Sequence, residues 1–264
     1  MKYSLTALVI LVVITSCMTK QKLAPLDPED EFTRATAFFQ QGKFTDAIQA
    51  FERILFYHPT SEFVDDAQYW LGRSYYEQKD YDQAIVEFDY LIRNFTTSRF
   101  IEETYLFKAK AYLMKAPGYE KDPTELENAI NMFNTYLTRF PNSEHTEEIR
   151  TMILEARNTL ARKELENGKL YAKLSEPDAA LVYFNYIINT YPETVHCAEA
   201  KYFAAEAYEE KKEYAKALAL YTELQDEDIW KDKVLPRIER LQPFIKDLPE
   251  SPGEHKEDGS IDQM

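Results

Sequence analysis

The chain has 264 residues, enough for one elongated or two compact domains, and its 46 Asp and Glu against 31 Lys and Arg leave a net charge of −15. A surface of that sign repels nucleic-acid phosphates and anionic lipid headgroups, so neither is expected as a ligand. Six scattered glycines build no phosphate-cradling loop, and the four histidines (His58, His145, His196, His255) show no His-Glu-x-x-His spacing.

At the N-terminus, Lys2 supplies a positive region and Leu5 to Ile14 an apolar run broken only by Thr6 and Ala7. Thr15 and Ser16 then lead into Cys17. This is the layout of a secretory signal, and a ten-residue run is too short to span a bilayer, which needs roughly 20 residues. The cysteine makes the segment similar to a bacterial lipoprotein signal, with Ile14 where Leu is usual. That resemblance implies that residues 1–16 are removed and that Cys17 is lipidated on its sulfur and acylated on its freed amine. The mature chain would lie outside the cytoplasm, fixed to a membrane, and losing Lys2 takes the balance from −15 to about −16. Cys197 is then alone, so no intramolecular disulfide forms and packing must hold the fold. Residues 17–30, with Pro25 and Pro28, are expected to be an extended lipidated tether.

Beyond the tether the chain repeats itself. A small residue precedes an aromatic by three positions at Ala35/Phe38, Gly72/Tyr75, Ala109/Tyr112, Gly168/Tyr171 and Ala205/Tyr208. An alanine then precedes an aromatic by four at Ala47/Phe51, Ala84/Phe88, Ala129/Phe133, Ala180/Phe184 and Ala217/Tyr221. Each unit reads as two helices: the small residue admits the second helix closely, and the aromatic fills the remaining space. Turns fall at Gly42-Lys43-Phe44, Lys79-Asp80-Tyr81, Glu176-Pro177 and Lys212-Glu213-Tyr214, and Pro59, Pro141 and Pro192 end second helices. The pattern resembles the tetratricopeptide repeat (TPR), and so predicts an all-α fold, a right-handed α-solenoid of about five TPR helix pairs.

The second-helix alanines are spaced by 37, 45, 51 and 37 residues, against about 34 for a bare repeat. Lys115 to Pro123 is an enlarged turn inside repeat three. Ile149, Ile153, Ala156, Leu160 and Leu165 mark a long first helix for repeat four over Glu147 to Leu165. Lys233 to Phe244 predicts a closing helix with Leu235, Ile238 and Leu241 on its apolar face. Residues 31–143 are thus assigned to repeats one to three, and 144–245 to repeats four and five with the capping helix. Residues 246–264, acidic and holding Pro249, Pro252, Gly253 and Gly259, are expected to be a disordered tail.

No nucleophile elbow, paired Cys-x-x-Cys or EF-hand spacing is present, so catalysis, metal and cofactor are not expected. TPR solenoids present a concave face of first helices. By analogy with that family, the facing positions are Phe32, Thr36 and Phe39 in repeat one, with Asp66, Tyr69, Arg73 and Tyr76 in repeat two. Four aromatics with one Arg and one Asp form a strip for an extended peptide: the rings supply apolar contact and Arg73 grips a carboxylate. Alternatively, several of these side chains simply pack against adjacent helices.

The order of features narrows the family. Arg157-Asn158-Thr159-Leu160-Ala161-Arg162-Lys163-Glu164-Leu165, then Gly168-Lys169-Leu170-Tyr171, opens repeat four, and Asn189-Thr190-Tyr191-Pro192-Glu193-Thr194 closes it. Phe140-Pro141-Asn142-Ser143 ends repeat three. With the lipoprotein signal and five repeats, these resemble the BamD family, lipoproteins of the outer-membrane β-barrel assembly machinery. Tyr183 and Asn185 depart from it, standing where basic character is usual. The resemblance implies a non-enzymatic adaptor on the periplasmic side of the outer membrane. Its C-terminal repeats would dock the periplasmic domains of the β-barrel insertase, and its N-terminal repeats would receive targeting peptides of unfolded outer-membrane proteins. The alternatives are an envelope TPR scaffold coordinating cell-wall synthesis with division and, less favoured, a surface glycan-binding TPR lipoprotein.

Overall fold

The computed structural model describes residues 26–119 and 121–246. The signal, Cys17, most of the tether and the acidic tail beyond Lys246 lie outside the described residues. Among the described residues all regular structure is helical: α1 Pro28–Gln40, α2 Phe44–Tyr57, α3 Val64–Glu77, α4 Tyr81–Asn94, α5 Ile101–Lys115, α6 Thr124–Arg139, α7 Thr146–Lys173, α8 Pro177–Thr190, α9 Cys197–Glu210, α10 Tyr214–Leu224 and α11 Asp228–Lys246. The chain divides into two compact units, Met1–Ala111 and Tyr112–Met264, the division falling within α5.

In the first unit α1 pairs with α2 and α3 with α4, and α2 also packs on α3. Ala35, Ala47, Phe51, Ile54, Ala67 and Leu71 form one buried cluster, and Tyr69, Ala84, Phe88 and Leu91 another. The small residues decide how close the helices come. Gly72 faces Phe88 so tightly that a Cβ on it would stand 2.6 Å from the ring. Both members of every second-helix alanine–aromatic pair are fully buried, in both units.

The second unit holds α6 to α11. The long α7 runs 28 residues, about 42 Å, and packs on α6, α8 and α9. Ile149, Ala156, Leu160 and Leu165 are buried along it, as the apolar spacing predicts. Near its end Gly168 meets Phe184 of α8 as Gly72 meets Phe88. Cys197, the first residue of α9, is a buried free thiol whose pKa burial pushes up. The closing helix differs from expectation in its face: Val234, Ile238 and Leu241 are buried, whereas Leu235 is exposed. Positions 234, 238 and 241 share one face at i, i+4 and i+7, and residue 235 is turned about 100° away from Val234. Arg237 and Arg240 fasten the same helix to Glu206 and Glu209 of α9.

The turns repeat as regularly as the cores. Gly42, Lys79, Ser175 and Lys212 all take positive φ, between 57° and 70°, five residues before the second-helix alanine of their repeat. At each, the next amide donates to the carbonyl of the first-helix aromatic: Lys43 to Phe38, Asp80 to Tyr75, Glu176 to Tyr171 and Glu213 to Tyr208. These are Schellman-type ends that satisfy the last carbonyls of each first helix. Repeat three has no positive-φ residue among those described. Its enlarged turn is closed instead by Asp122, whose carboxylate accepts from the Thr124 amide and hydroxyl, and it is held to α7 by Lys163 donating to the Lys121 carbonyl. A second recurrent turn joins one repeat to the next, at His58–Val64, Phe95–Ile101, Phe140–Thr146 and Tyr191–Cys197.

Candidate functional site

The seven residues expected to form the peptide strip lie in the first unit, three on α1 and four on α3. The structure gathers four of them into one cluster, with Phe39 and Tyr69 against the Arg73 guanidinium and Tyr76 joined to it through Phe107. Arg73 Nη1 donates to the Tyr69 hydroxyl at 3.0 Å and Nη2 to Glu77 at 3.0 Å. Its Cζ lies 3.6 Å from the Phe107 ring centre, with Phe39, Tyr69 and Trp70 within about 6 Å. Tyr76 meets Phe107 edge-on at 5.3 Å. Arg73 Nε is buried with no hydrogen-bond partner. A guanidinium held against ring faces, with N–H groups still unspent, can take up a carboxylate or a peptide carbonyl.

The other three stand apart. Asp66 is buried and forms a fork with Arg99, Nε to Oδ1 at 3.0 Å and Nη2 to Oδ2. Burial outweighs that attraction and holds its carboxyl above the usual range. Phe32 stacks on Phe63 at 5.2 Å and meets Phe51 at its edge, so it joins the core of repeat one. The Thr36 hydroxyl donates to the carbonyls of Phe32 and Thr33 in its own helix. Tyr69, although in the cluster, is only 3% exposed and lies flat on Phe100 at 4.2 Å. Burial raises its pKa, so it remains a neutral phenol aimed at Arg73. Phe39, Arg73 and Tyr76 are the partly exposed members of the cluster.

Sequence reasoning missed the residues that build the frame. Trp70 and Phe107 lie two positions before the small residues Gly72 and Ala109. Aromatics at that place in successive repeats were the available signal, because it lies one helical step from the facing position. Arg99 could not be anticipated, since it lies in the turn before α5.

In the second unit a hollow of about 500 Å³ opens between α6 and α7, lined by Ile130, Leu137, Ile153, Leu154, Arg150 and Arg157 among others. Arg157 is fixed there by Glu193 and by the Thr190 carbonyl, over the Tyr191 ring at 4.9 Å. Among the described residues no group of His, Cys, Asp and Glu could hold a metal, and no helix is long and apolar enough to cross a membrane.

Helix pairs with small-to-aromatic crossings, recurrent turns of two kinds and an aromatic-framed arginine on the first helices define a TPR-type repeat protein. The chain belongs to the YfiO family, described as outer membrane lipoprotein, whose model matches residues 26–223. It is 26% identical over 224 residues to the outer membrane protein assembly factor BamD of Rickettsia prowazekii, covering 80% of this chain and 87% of that protein. To the factor of the same name from Caulobacter vibrioides it is 24% identical, covering 78% of this chain and 69% of that one. For Vibrio cholerae the figures are 21% identity, 80% and 92%. Among solved structures it is similar to the TPR2AB domain of yeast Sti1 in a pHSP90 complex, with TM-score 0.48, 17% identity and coverage of 83% and 84%.

Proposed function

We propose that the protein is a lipid-anchored, non-enzymatic TPR adaptor of the outer-membrane β-barrel assembly machinery. Membership of the YfiO family across residues 26–223 carries this reading, together with the matching relatives, which are outer membrane protein assembly factors. In it Cys17 bears the lipid and the chain faces the periplasm from the outer membrane. The first unit takes the targeting peptide of an unfolded outer-membrane protein at the cluster of Phe39, Tyr69, Arg73 and Tyr76. Phe39, Arg73 and Tyr76 make the contact. Tyr69 positions Arg73, Asp66 and Arg99 hold the start of α3, and Phe32 and Thr36 shape α1. Repeats four and five dock the periplasmic domains of the insertase.

The mechanism asks for binding and no chemistry. A peptide carboxylate displaces water from Arg73, whose rings exclude solvent from one side and strengthen the charge-assisted hydrogen bonds. Affinity purification of the tagged chain from crosslinked membranes tests the whole reading. Recovery of the insertase supports it, and recovery of cell-wall synthases in its place overturns it. Cys17→Ser separates the anchor from the rest: it is expected to leave the chain as precursor or release it from the membrane.

A further inference from the structure

Phe56 is the most exposed large apolar side chain described in the first unit, at 76%, and packing does not require it. The buried face of α2 is Ala47, Ile48, Ala50, Phe51 and Ile54, and Phe56 points away from it at the last turn of the helix. It meets Tyr57, 39% exposed, edge-on at 4.9 Å. Arg53 lies over the Tyr57 ring at 5.5 Å, and an open hollow of about 490 Å³ is lined by Gln49, Glu52, Arg53, Phe56 and Tyr57. Next in the chain, His58 Nε2 is 2.9 Å from the carbonyl oxygen of Leu26, whose own side chain is 40% exposed. That hydrogen bond brings the path towards Cys17 to the end of α2 where the two rings stand.

We infer that Phe56, Tyr57 and Leu26 form a membrane-contact patch that seats the first unit on the bilayer to which Cys17 is tethered; this rests on the lipidation proposed above. Cys17 precedes Leu26 by nine residues, which reach at most about 30 Å when fully extended. The lipid therefore keeps this end of α2 close to a bilayer surface. An exposed Phe beside a Tyr is a pair that settles at the headgroup level, and Arg53, held by Glu31 at 2.6 Å, keeps the Tyr57 ring in place. The chain's net charge of −15 makes an anionic surface the wrong partner, so the contact is apolar and suits zwitterionic lipid. A second copy of the chain is the competing occupant.

The test uses the full lipidated chain reconstituted in phosphatidylcholine vesicles, with and without bromine on the acyl chains. Phe56→Trp reports from the patch. Thr45→Trp, eleven residues earlier in α2 and about 16 Å along its axis, reports from beyond the depth of such a contact. After subtracting the signal of Trp70 and Trp230 in the unsubstituted chain, the probe at 56 is expected to be quenched by bromine roughly twofold or more, and the probe at 45 not at all. If the unsubstituted chain floats with vesicles and the two probes respond alike, the patch does not touch lipid while the anchor stands. If the unsubstituted chain fails to float, the anchor reading falls and the contact with it. A blue shift at position 56 that follows protein concentration and ignores bromine assigns the patch to a second copy, against the inference.

Discussion

Gly72 and Phe88 meet across the α3–α4 pair at a separation that leaves no space for a side chain on the first. A Cβ would stand 2.6 Å from Cε1 of a ring that is itself fully buried with Tyr69, Ala84 and Leu91. Gly168 repeats the relationship with Phe184 at 2.5 Å. In an open helix Gly→Ala stabilises by up to about 1 kcal/mol. Here overpacking opposes it at about 1–3 kcal/mol, so the sign reverses. Gly72→Ala should lower the melting temperature of a chain beginning at Leu26, and Gly72→Leu should lower it further. An alanine variant that melts higher than the parent would mean that the helices are free to separate.

The four positive-φ turn residues offer a comparison with no packing in it. Gly42 has φ 70° with open space where a Cβ would go, whereas Lys212 holds φ 61° with a side chain. A non-glycine residue in that region costs roughly 1–2 kcal/mol, offset in part by the greater freedom glycine has when unfolded. Gly42→Ala should therefore destabilise and Lys212→Gly stabilise, each by about 1 kcal/mol. Urea unfolding of the two variants checks the pair, and shifts of the same sign would sink the argument.

How far the sequence reached follows from what each residue type does alone. Ala47 and Phe51, or Ala180 and Phe184, announce a helix crossing because a small residue four before an aromatic leaves few other uses for the pair. The long α7 was legible in its apolar spacing from Ile149 to Leu165. Leu235 shows what reading apolar residues without their exact spacing misses: Val234, Ile238 and Leu241 recur at i, i+4 and i+7 and are buried, whereas Leu235 stands six before Leu241 and falls off that face. The expected peptide strip has a different limit. The repeat frame places Tyr69 and Arg73 on one helix face, but Phe100 and Phe107, from the following turn and helix, decide which is covered and which is left half open.

Glu193 gives the second unit an acid-sensitive contact. Hydrogen bonding to Arg157, with its charge, holds this carboxyl below the usual range. A depressed carboxylate contributes stability that is present above its unfolded pKa and lost as pH falls through the folded value. Because Glu193 is substantially exposed, screening limits the effect to at most about 1 kcal/mol. Asp66 in the first unit carries the opposite sign, since its raised pKa makes its contribution greatest at low pH and lost as pH rises. Glu193→Gln should flatten the decline in melting temperature between about pH 7 and about pH 3, and Asp66→Asn should steepen it. Melting curves across that range decide, and two variants that move the slope in the same direction would contradict the assignment.

The functional assignment stands or falls on Phe39, Arg73 and Tyr76. They are the partly exposed members of the cluster, whereas Tyr69 at 3% exposure cannot be truncated without opening the stack on Phe100. Phe39→Ala and Tyr76→Ala should each weaken binding of a peptide from the C-terminus of an outer-membrane protein. Arg73→Glu should cost more, about 2 kcal/mol or above if it is the anchor, because the repulsive carboxylate replaces a framed guanidinium. That component should fade with added salt, while the aromatic one should not. Tyr69→Phe is the subtler probe: it keeps the ring on Phe100 and removes only the hydroxyl that accepts from Arg73 Nη1. It should lower affinity less than Arg73→Glu and leave the unfolding free energy within about 1 kcal/mol of the parent's. Insertase recovery should survive all of these changes, since docking is assigned to repeats four and five. Unaltered peptide affinity in the Phe39, Arg73 and Tyr76 triple variant, with helicity intact by circular dichroism, removes the first unit from client binding. Loss of insertase recovery with peptide binding retained would exchange the roles given to the two units.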